Sequence, residues 1–518
     1  MQACPLPSSR PAPRQRALTT QVFWAAVALW ASPALGAASE PPAAKAPQAL
    51  EQLGGALKHP GLKGAQLGVA VQRLDTGASV FAQGGDSQLI PASNVKLITS
   101  AAALSALGPD YQFKTELLGT LNAAGDVQGD LTVVGYGDPY LLPERVTYLA
   151  ARLYFMGVRH IHGDLVLDDS YFAPDTRMAL GWQEDRTSHA YMAPAGAVSV
   201  GFNALMVHVL PGLGDSPTAR VMTDPEQAYA RVQGRIATVE RGTTRINVDV
   251  LPQGSSSVVR VSGQIVRSDP GRAYWRRIDN PPVFAGEVLR GALERQGIHV
   301  AGKVRARKAA QEAPVLLTAL SPRLAELIGP LNKYSNNFMA MQVALVLGAH
   351  RFGAPATWDK AARALGSFMA DRVGIAPSSY TLSNASGLHS VNRLSAKQLV
   401  RVLAHMHAEP TLACEFMGSL AVAAGSGTLQ DRMLGGPAAH LLRAKTGTLT
   451  RASALSGYIT TQEGVPLVFS MLVNNYRHIA DVWAAQDTFA EALACLKLEG
   501  PAMLRSQPLP LAEESGPP

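Results

Sequence analysis

The front of the chain carries two short apolar runs that are separated by a turn. Residues 68–74 and 79–82 are rich in valine, alanine and phenylalanine, and Asp75-Thr76-Gly77 lies between them. Runs of this kind on either side of turn residues predict a β-hairpin. An Ala/Leu-rich run at residues 95–104 follows, and it ends at Gly108-Pro109, which is a helix-stopping pair. The pattern therefore predicts a hairpin followed by a helix.

The chain changes character between about residues 112 and 310. Short strand-like stretches punctuated by glycine dominate there, at residues 129–135, 163–167, 246–250 and 258–261. The pattern then becomes helical, and it finishes with two strands and a helix. The helical stretches are residues 323–328, 337–347, 357–373 and 480–496, and the strand-like ones are 452–461 and 467–474. This order predicts one domain that is split around an insertion.

The predicted boundaries follow these changes, and 518 residues are more than a single core usually spans. The main domain is expected at 49–111 and 311–500, with the active site in its second part. The inserted region, 112–310, is expected to hold one or two strand-rich subdomains. An Ala/Pro-rich linker is predicted at 37–48 and a flexible tail at 501–518.

The first 36 residues have the three parts of a secretory signal peptide in order. Arg10, Arg14 and Arg16 precede an apolar run at residues 22–31, and small residues follow at 32–37. We expect cleavage after Gly36 or Ala37 and a periplasmic or otherwise exported protein; a buried N-terminal helix is the alternative. No later apolar stretch reaches the ~18 residues that a spanning helix needs, so no stable membrane anchor is expected.

The net charge of +7 and the pI of about 9.3 raise the question of an anionic partner. The basic residues are scattered, and the densest stretch, residues 303–308, alternates with Val and Ala like the solvated face of an edge strand. Nucleic acid is therefore not an expected partner. Of the three cysteines, Cys4 falls in the signal segment. Cys414 and Cys495 either form a disulfide or are two buried free thiols.

The first candidate for chemistry is Ser93-Asn94-Val95-Lys96. If a helix begins at Ser93, Lys96 lies one turn further on the same face, and Ser93 lies at the positive end of the helix dipole. A neutral lysine amine can take the serine proton. Bringing the pKa of a lysine from ~10.4 to near 7 costs ~4.6 kcal/mol, which desolvation and a nearby cation can supply. The alternative is an ordinary helix cap with a surface lysine.

Two more short motifs follow along the chain. Ser335-Asn336-Asn337 offers a hydroxyl that could relay a proton and an amide that could bind a peptide backbone, or it caps the helix that follows. Lys445-Thr446-Gly447-Thr448 precedes a predicted strand; on an edge strand, Gly447 lets a substrate backbone approach closely. Lys445, Thr446 and Thr448 offer a cation and two hydroxyls to a terminal carboxylate.

The three motifs, in this order, match the set found in penicillin-binding proteins and class A β-lactamases. Over roughly residues 67–496 the chain also resembles the penicillin-binding protein 4 type of D-alanyl-D-alanine carboxypeptidase and endopeptidase, a low-molecular-mass class C penicillin-binding protein. The stretches that carry this resemblance are Gly129-Asp130-Leu131, Gly137-Asp138-Pro139, residues 163–170, Ala385-Ser386-Gly387-Leu388, Gly427-Thr428-Leu429 with Arg432-Met433, and residues 443–449.

The resemblance implies a fold and a reaction. The fold is the α/β (α+β) penicillin-recognising serine transpeptidase/β-lactamase-like domain, a mainly antiparallel sheet flanked by helices, with a large strand-rich insertion. The implied catalytic residues are Ser93, Lys96, Ser335, Asn337 and Lys445. Ser93 forms an acyl-enzyme, and the backbone N–H groups of Ser93 and Thr448 form the oxyanion hole.

The resemblance also implies the substrate and its contacts. The substrates are peptidoglycan stem peptides and cross-links, and β-lactam antibiotics bind covalently. The implied substrate-binding residues next to Lys445 are Thr446, Gly447 and Thr448. Trp182, Asp185 and Tyr191 lie where the family holds the head group of the third peptide residue, and Arg393 is either part of that pocket or a surface arginine. No cofactor and no metal are expected.

The chain departs from the family pattern outside the three motifs. Asn384 and Ala385 stand where the family usually has Asp-Gly, and Met341 stands where Glu is common. Either change could alter rate or substrate preference. Two other functions compete with the peptidase. One is an inactive protein of the same fold that binds or scaffolds the wall, which the intact motifs disfavour. The other is a β-lactamase, whose compact core leaves no room for so long a segment between Ser93 and Ser335.

Overall fold

The computed structural model describes residues 47–178, 187–309 and 313–498. The predicted signal peptide, most of the predicted linker and the predicted tail lie outside these residues, as do Trp182 and Asp185. The predicted domain boundaries therefore stay predictions. Among the described residues, no helix is long and apolar enough to cross a membrane.

The described chain forms ten α-helices and nineteen β-strands. The helices are α1 Pro47–Ala56, α2 Val95–Leu107, α3 Pro143–Phe155, α4 Pro281–Arg295, α5 Leu324–Lys333, α6 Asn337–Phe352, α7 Trp358–Ser367, α8 Ala396–Ala408, α9 Ala413–Gly418 and α10 Ile479–Ala494. The strands are β1 Gln66–Arg73, β2 Ser79–Gln83, β3 Lys114–Leu121, β4 Val127–Gly135, β5 His160–Ile161, β6 Leu165–Asp168, β7 Ala204–Leu210, β8 Arg220–Asp224, β9 Ala230–Val239, β10 Arg245–Gln253, β11 Ser256–Val266, β12 Arg272–Arg277, β13 His299–Val300, β14 Val304–Ala306, β15 Val315–Leu320, β16 Ala421–Val422, β17 Leu442–Leu449, β18 Ala452–Thr460 and β19 Pro466–Asn474.

A six-stranded antiparallel sheet joins the two ends of the described chain, in the order β16-β17-β18-β19-β1-β2. The early strand β1 pairs with the late strand β19 from Gln66↔Asn474 to Arg73↔Leu467. The predicted hairpin is β1 and β2, and the predicted helix is α2, which ends at Leu107 with Gly108 as its C-cap. The predicted fold class is confirmed.

Both faces of this sheet are covered. In β19, Val468 and Leu472 pack in a core with α2, α6 and α8, whereas Phe469 and Val473 pack in a second core with α1 and α10. Because side chains alternate between the faces of a strand, a strand that is buried on both faces is apolar throughout. This explains why residues 467–474 show no polar alternation.

Three further sheets contain the strands between β3 and β15, and they share a separate core with α3 and α4. The basic stretch at residues 303–308 contains β14, which pairs only with β6 among the described strands and is largely exposed. Its expected role as a solvated edge strand is confirmed.

The two cysteines of the described chain are free thiols. Cys495 is partly exposed and Cys414 is exposed, so the expectation that both thiols are buried is wrong. Cys414 lies in the short helix α9, whose only buried residue is Phe416. An apolar local sequence did not show which face of this helix packs inward, because that depends on its tertiary contacts.

Candidate active site

Ser93 lies in the short turn that leads into helix α2. Residues Ala92–Asn94 form a 3₁₀ turn that continues directly into α2, because the N–H of Val95 bonds to the carbonyls of Ala92 and Ser93. Ala92 adopts a left-handed backbone with φ 46°, which is costly for a residue with a Cβ. Gly387 packs against it so closely that a Cβ there would lie 1.9 Å from the Ala92 carbonyl oxygen. Packing therefore holds the strained turn that presents Ser93.

Lys96 is fully buried one turn after Ser93, as the spacing predicted. Its Nζ lies 2.5 Å from the carbonyl oxygen of Ser386, 2.7 Å from Oδ1 of Asn337 and 3.2 Å from Oγ of Ser93. Burial, reinforced by the positive charge of Lys445, lowers the pKa of Lys96 well below its usual value. A neutral amine has two N–H donors and one lone pair. Since two neighbours accept only, the lone pair is left for the Ser93 hydroxyl.

Lys445 is the second buried lysine of the site. Burial lowers its pKa to about 7, and its Nζ donates to the carbonyl of Thr446 at 2.7 Å. The Nδ2 of Asn94 donates to the Lys445 carbonyl at 3.2 Å, which ties β17 to the Ser93 turn. A partly charged lysine at this position can therefore act on Lys96 and attract an anion.

Strand β17 has an open outer edge over part of its length. Its inner side pairs with β18 from Leu442↔Ile459 to Leu449↔Ala452. On its outer side β16 pairs only with Ala444 and Arg443, so no described strand covers it from Lys445 onward. Although β16 is the outermost strand of the sheet, Lys445-Thr446-Gly447-Thr448 therefore lies on a stretch of β17 with an open outer edge. A Cβ on Gly447 would lie 3.0 Å from the nitrogen of Ser93, which explains glycine at this position.

The second motif lies in the link between α5 and α6. Asn336 is the N-cap of α6, because its side chain accepts from the N–H of Met339 at 3.0 Å. The motif therefore caps the following helix through Asn336, as the alternative predicted, and this does not exclude the roles predicted for Ser335 and Asn337. Asn337 bonds to Lys96 through Oδ1 and donates through Nδ2 to the carbonyl of Tyr191 at 3.1 Å. The Ser335 hydroxyl makes no hydrogen bond to a described residue, so its relay role stays a prediction.

Only two of the four residues predicted to contact the third peptide residue lie within the described chain. Tyr191 lies beside the site because its backbone carbonyl accepts a hydrogen bond from Asn337. The residue is 47% exposed, and its ring stacks on that of His189. The Arg393 guanidinium donates to the carbonyls of Ser390 and Asn392 in its own loop. Trp182 and Asp185 lie outside the described residues. The roles of all four in binding stay predictions.

Several residues of the site were not predicted from the sequence. Ser386 supplies the carbonyl that binds Lys96, and Asn384 holds the loop that carries it. Thr428 accepts a 2.7 Å hydrogen bond from the Thr446 hydroxyl. Ser386 and Thr428 belong to stretches that carry the family resemblance, which was the available signal. No group of three His, Cys, Asp or Glu side chains in the described part of the chain could hold a metal ion.

A model of the "D-Ala-D-Ala carboxypeptidase 3 (S13) family" matches residues 49–495. The chain belongs to this family. This membership confirms the predicted family and the predicted class of enzyme, a serine-type D-Ala-D-Ala carboxypeptidase. It also accounts for the three motifs meeting in one site.

Similar proteins agree with the S13 assignment. A D-alanyl-D-alanine carboxypeptidase from Actinomadura sp. (strain R39) is 34% identical over 460 residues, which is 86% of this chain and 84% of that protein. The D-alanyl-D-alanine carboxypeptidase DacB of Haemophilus influenzae is 25% identical over 418 residues, 80% of this chain and 86% of that protein. The crystal structure of penicillin binding protein 4 from H. influenzae superposes with a TM-score of 0.73 at 24% identity, covering 85% of this chain and 98% of that one.

Proposed function

We propose that this S13 enzyme hydrolyses D-alanyl bonds in peptidoglycan stem peptides and cross-links through an acyl-enzyme on Ser93. The observation that carries the proposal is the position of Lys96, whose neutral amine has one lone pair left for the Ser93 hydroxyl. Lys96 takes the proton as Ser93 Oγ attacks the carbonyl carbon of the penultimate D-alanine. Acting as a carboxypeptidase, an endopeptidase or both, the enzyme uses the same step.

The rest of the first half-reaction stabilises charge and releases the amine. The backbone N–H groups of Ser93 and Thr448 bind the oxyanion, and each preorganised donor of this kind is worth ~3–4 kcal/mol. The proton on Lys96 reaches the leaving amine through the Ser335 hydroxyl, so that D-alanine leaves as a neutral amine. Water then attacks the Ser93 ester, with Lys96 again as base, and the product is released.

The open edge of β17 supports binding of the substrate as an added strand. Gly447 keeps that edge close to Ser93, and the hydroxyls of Thr446 and Thr448 face a carboxylate together with the charge of Lys445. Tyr191, Arg393, Trp182 and Asp185 are proposed to hold the third peptide residue. Export to the periplasm through the N-terminal signal peptide would bring the enzyme to this substrate.

Labelling with a fluorescent penicillin tests the proposal. Because β-lactams mimic the acyl donor, the wild type should gain one covalent adduct by intact mass, whereas Ser93→Ala should gain none. A folded wild type that does not label contradicts the catalytic proposal and supports the inactive, wall-binding alternative. Fast release of the penicillin product by the wild type supports the β-lactamase alternative. Carboxypeptidase and endopeptidase rates on a pentapeptide and on a cross-linked dimer then separate the two activities.

A further inference from the structure

Two buried asparagines interlock the loop that precedes α8. Asn384 is 4% exposed and Asn392 is 1% exposed. Oδ1 of Asn392 accepts from the backbone N–H groups of Ser383 and Asn384 at 2.7 and 3.2 Å, and its Nδ2 donates to the carbonyl of Asn384 at 3.2 Å. The pair therefore closes residues 383–392 into one rigid loop.

The side-chain amide of Asn384 forms hydrogen bonds through both its oxygen and its nitrogen. Oδ1 accepts from the N–H of Gly387 at 2.8 Å and from that of Ser386 at 3.2 Å, while Nδ2 donates to the carbonyl of Leu388 at 2.8 Å. These partners determine the orientation of the amide, because turning it over would point donors at donors. A carboxylate could accept the two N–H groups but could not donate to Leu388.

This loop contacts the start of α2 through three successive residues. The Ala385 carbonyl accepts from Thr99 Oγ1 at 2.7 Å, the Ser386 carbonyl accepts from Lys96 Nζ at 2.5 Å, and Gly387 packs on Ala92. Through the N–H groups of Ser386 and Gly387, Asn384 thus bonds to the two peptide units whose carbonyls accept from Thr99 and Lys96. The other acceptor for Lys96, Asn337, comes from α6 and cannot by itself aim the lone pair.

We propose that Asn384 is a positioning residue for acylation: its uncharged amide holds the Ser386 carbonyl on Lys96 and so aims the Lys96 lone pair at Ser93. This inference rests on the proposed function. It also gives a physical meaning to an asparagine at this position, since a carboxylate would place a negative charge next to the peptide that Lys96 binds. Among the described residues, Lys445 is the charged group that acts on Lys96; Asn337, Ser386 and Ser93 around it are uncharged.

The test is the second-order rate of acylation by penicillin as a function of pH, for the wild type, Asn384→Asp and Asn384→Ser. The acid limb is the low-pH part of this profile, where the rate falls as Lys96 becomes protonated. The plateau is the pH-independent rate above it. A new negative charge favours protonated Lys96, so the acid limb of Asn384→Asp should move to higher pH by about one unit. Asn384→Ser adds no charge and loses the bond to Leu388, so it should keep the acid limb and lower the plateau about ten-fold. A merely structural role would lower thermal stability and leave both the limb and the plateau unchanged.

A matched control is Asn203→Asp in the link before β7. Asn203 is also buried, and it also donates to a backbone carbonyl, that of Pro194, at 2.8 Å. This variant should lose stability without moving the acid limb. An acid limb of Asn384→Asp that coincides with that of the wild type overturns the proposal. If Asn384→Asp does not fold, a wild-type plateau for Asn384→Ser overturns it. A wild type that is not acylated at all refutes the proposed function instead.

Discussion

The positive charge of Lys445 acts on Lys96, although the two lysines come from a strand and a helix that are far apart in the sequence. Both side chains are wholly buried, and burial lowers the pKa of each. The charge of Lys445 repels a second ammonium group in the same site, so it favours the neutral form of Lys96. The fold therefore prepares Lys96 as a base before any substrate arrives.

Replacing Lys445 by methionine removes this repulsion. The pKa of Lys96 should rise, so less of the free amine is present at pH 7 and the acid limb of penicillin acylation should move to higher pH. Rates measured from pH 5 to 10 separate this shift from the loss of anion binding, which lowers the rate at every pH. Lys445→Arg keeps the charge and is the matched control, with an acid limb no higher than that of the wild type. An unshifted limb in Lys445→Met contradicts the coupling.

Gly447→Ala tests the close approach of β17 to the Ser93 turn. The added Cβ would lie 3.0 Å from both the Ser93 nitrogen and the Ala92 Cβ, so the turn must move. Displacing a nucleophile by a fraction of an ångström to 1 Å should lower the acylation rate by about 10- to 100-fold. The protein should remain folded by circular dichroism.

The control for this glycine is Gly54→Ala in α1, where an added Cβ meets no atom within 4 Å and the next residue is not a proline. Alanine is the better helix former by about 1 kcal/mol, so this variant should be slightly more stable and equally active. Equal acylation rates for Gly447→Ala and the wild type would show that β17 does not hold Ser93 in place.

The unfolding free energy should depend on pH through Asp138. Burial raises the pKa of Asp138 to about 6, although the Arg145 guanidinium lies 3.5 Å from its Oδ2 and opposes the shift. Within the described part of the chain, this Oδ2 accepts no hydrogen bond. The folded state therefore disfavours the charged form. Its contribution is most favourable below the unfolded pKa near 4 and is lost as the pH rises through 6, by about 3 kcal/mol.

Chemical denaturation at pH 5 and pH 8 checks this dependence. Asp138→Asn should lose less stability than the wild type between the two values, because its amide does not ionise. Asp215→Asn, at an exposed position, should keep the wild-type difference. The same pH dependence in all three proteins would show that Asp138 does not titrate in this range.

Thr428 supports the carboxylate-binding end of β17. Its hydroxyl bonds to that of Thr446, and Thr446 can then offer a directed donor or acceptor to the substrate. Thr428→Val removes one hydrogen bond of about 1 kcal/mol, so kcat/KM for a D-alanyl peptide should fall about five-fold. Thr428→Ser keeps the hydroxyl and should retain most of the activity. A valine variant with wild-type kcat/KM would place this bond outside substrate binding.

The sequence by itself determined which side chains carry the chemistry and the local secondary structure around Ser93 and Lys96. The spacing of Ser93 and Lys96 predicted their contact, because residues three apart on a helix share a face. The turn at Asp75-Thr76-Gly77 and the stop at Gly108-Pro109 marked β1, β2 and α2 to within a few residues, because turn and cap chemistry is local. The three motifs and the stretches around them identified the family.

Only the tertiary structure decided what surrounds Lys96. Asn337 and Ser386 lie 241 and 290 positions away along the chain, and nothing local indicates that a backbone carbonyl of the second would reach Nζ. The exposure of Cys414 and the point at which β16 leaves the edge of β17 depend in the same way on packing. The lowered pKa of Lys96 is a sum of desolvation and charge over all its neighbours, and a sum of this kind exists only once the chain has folded.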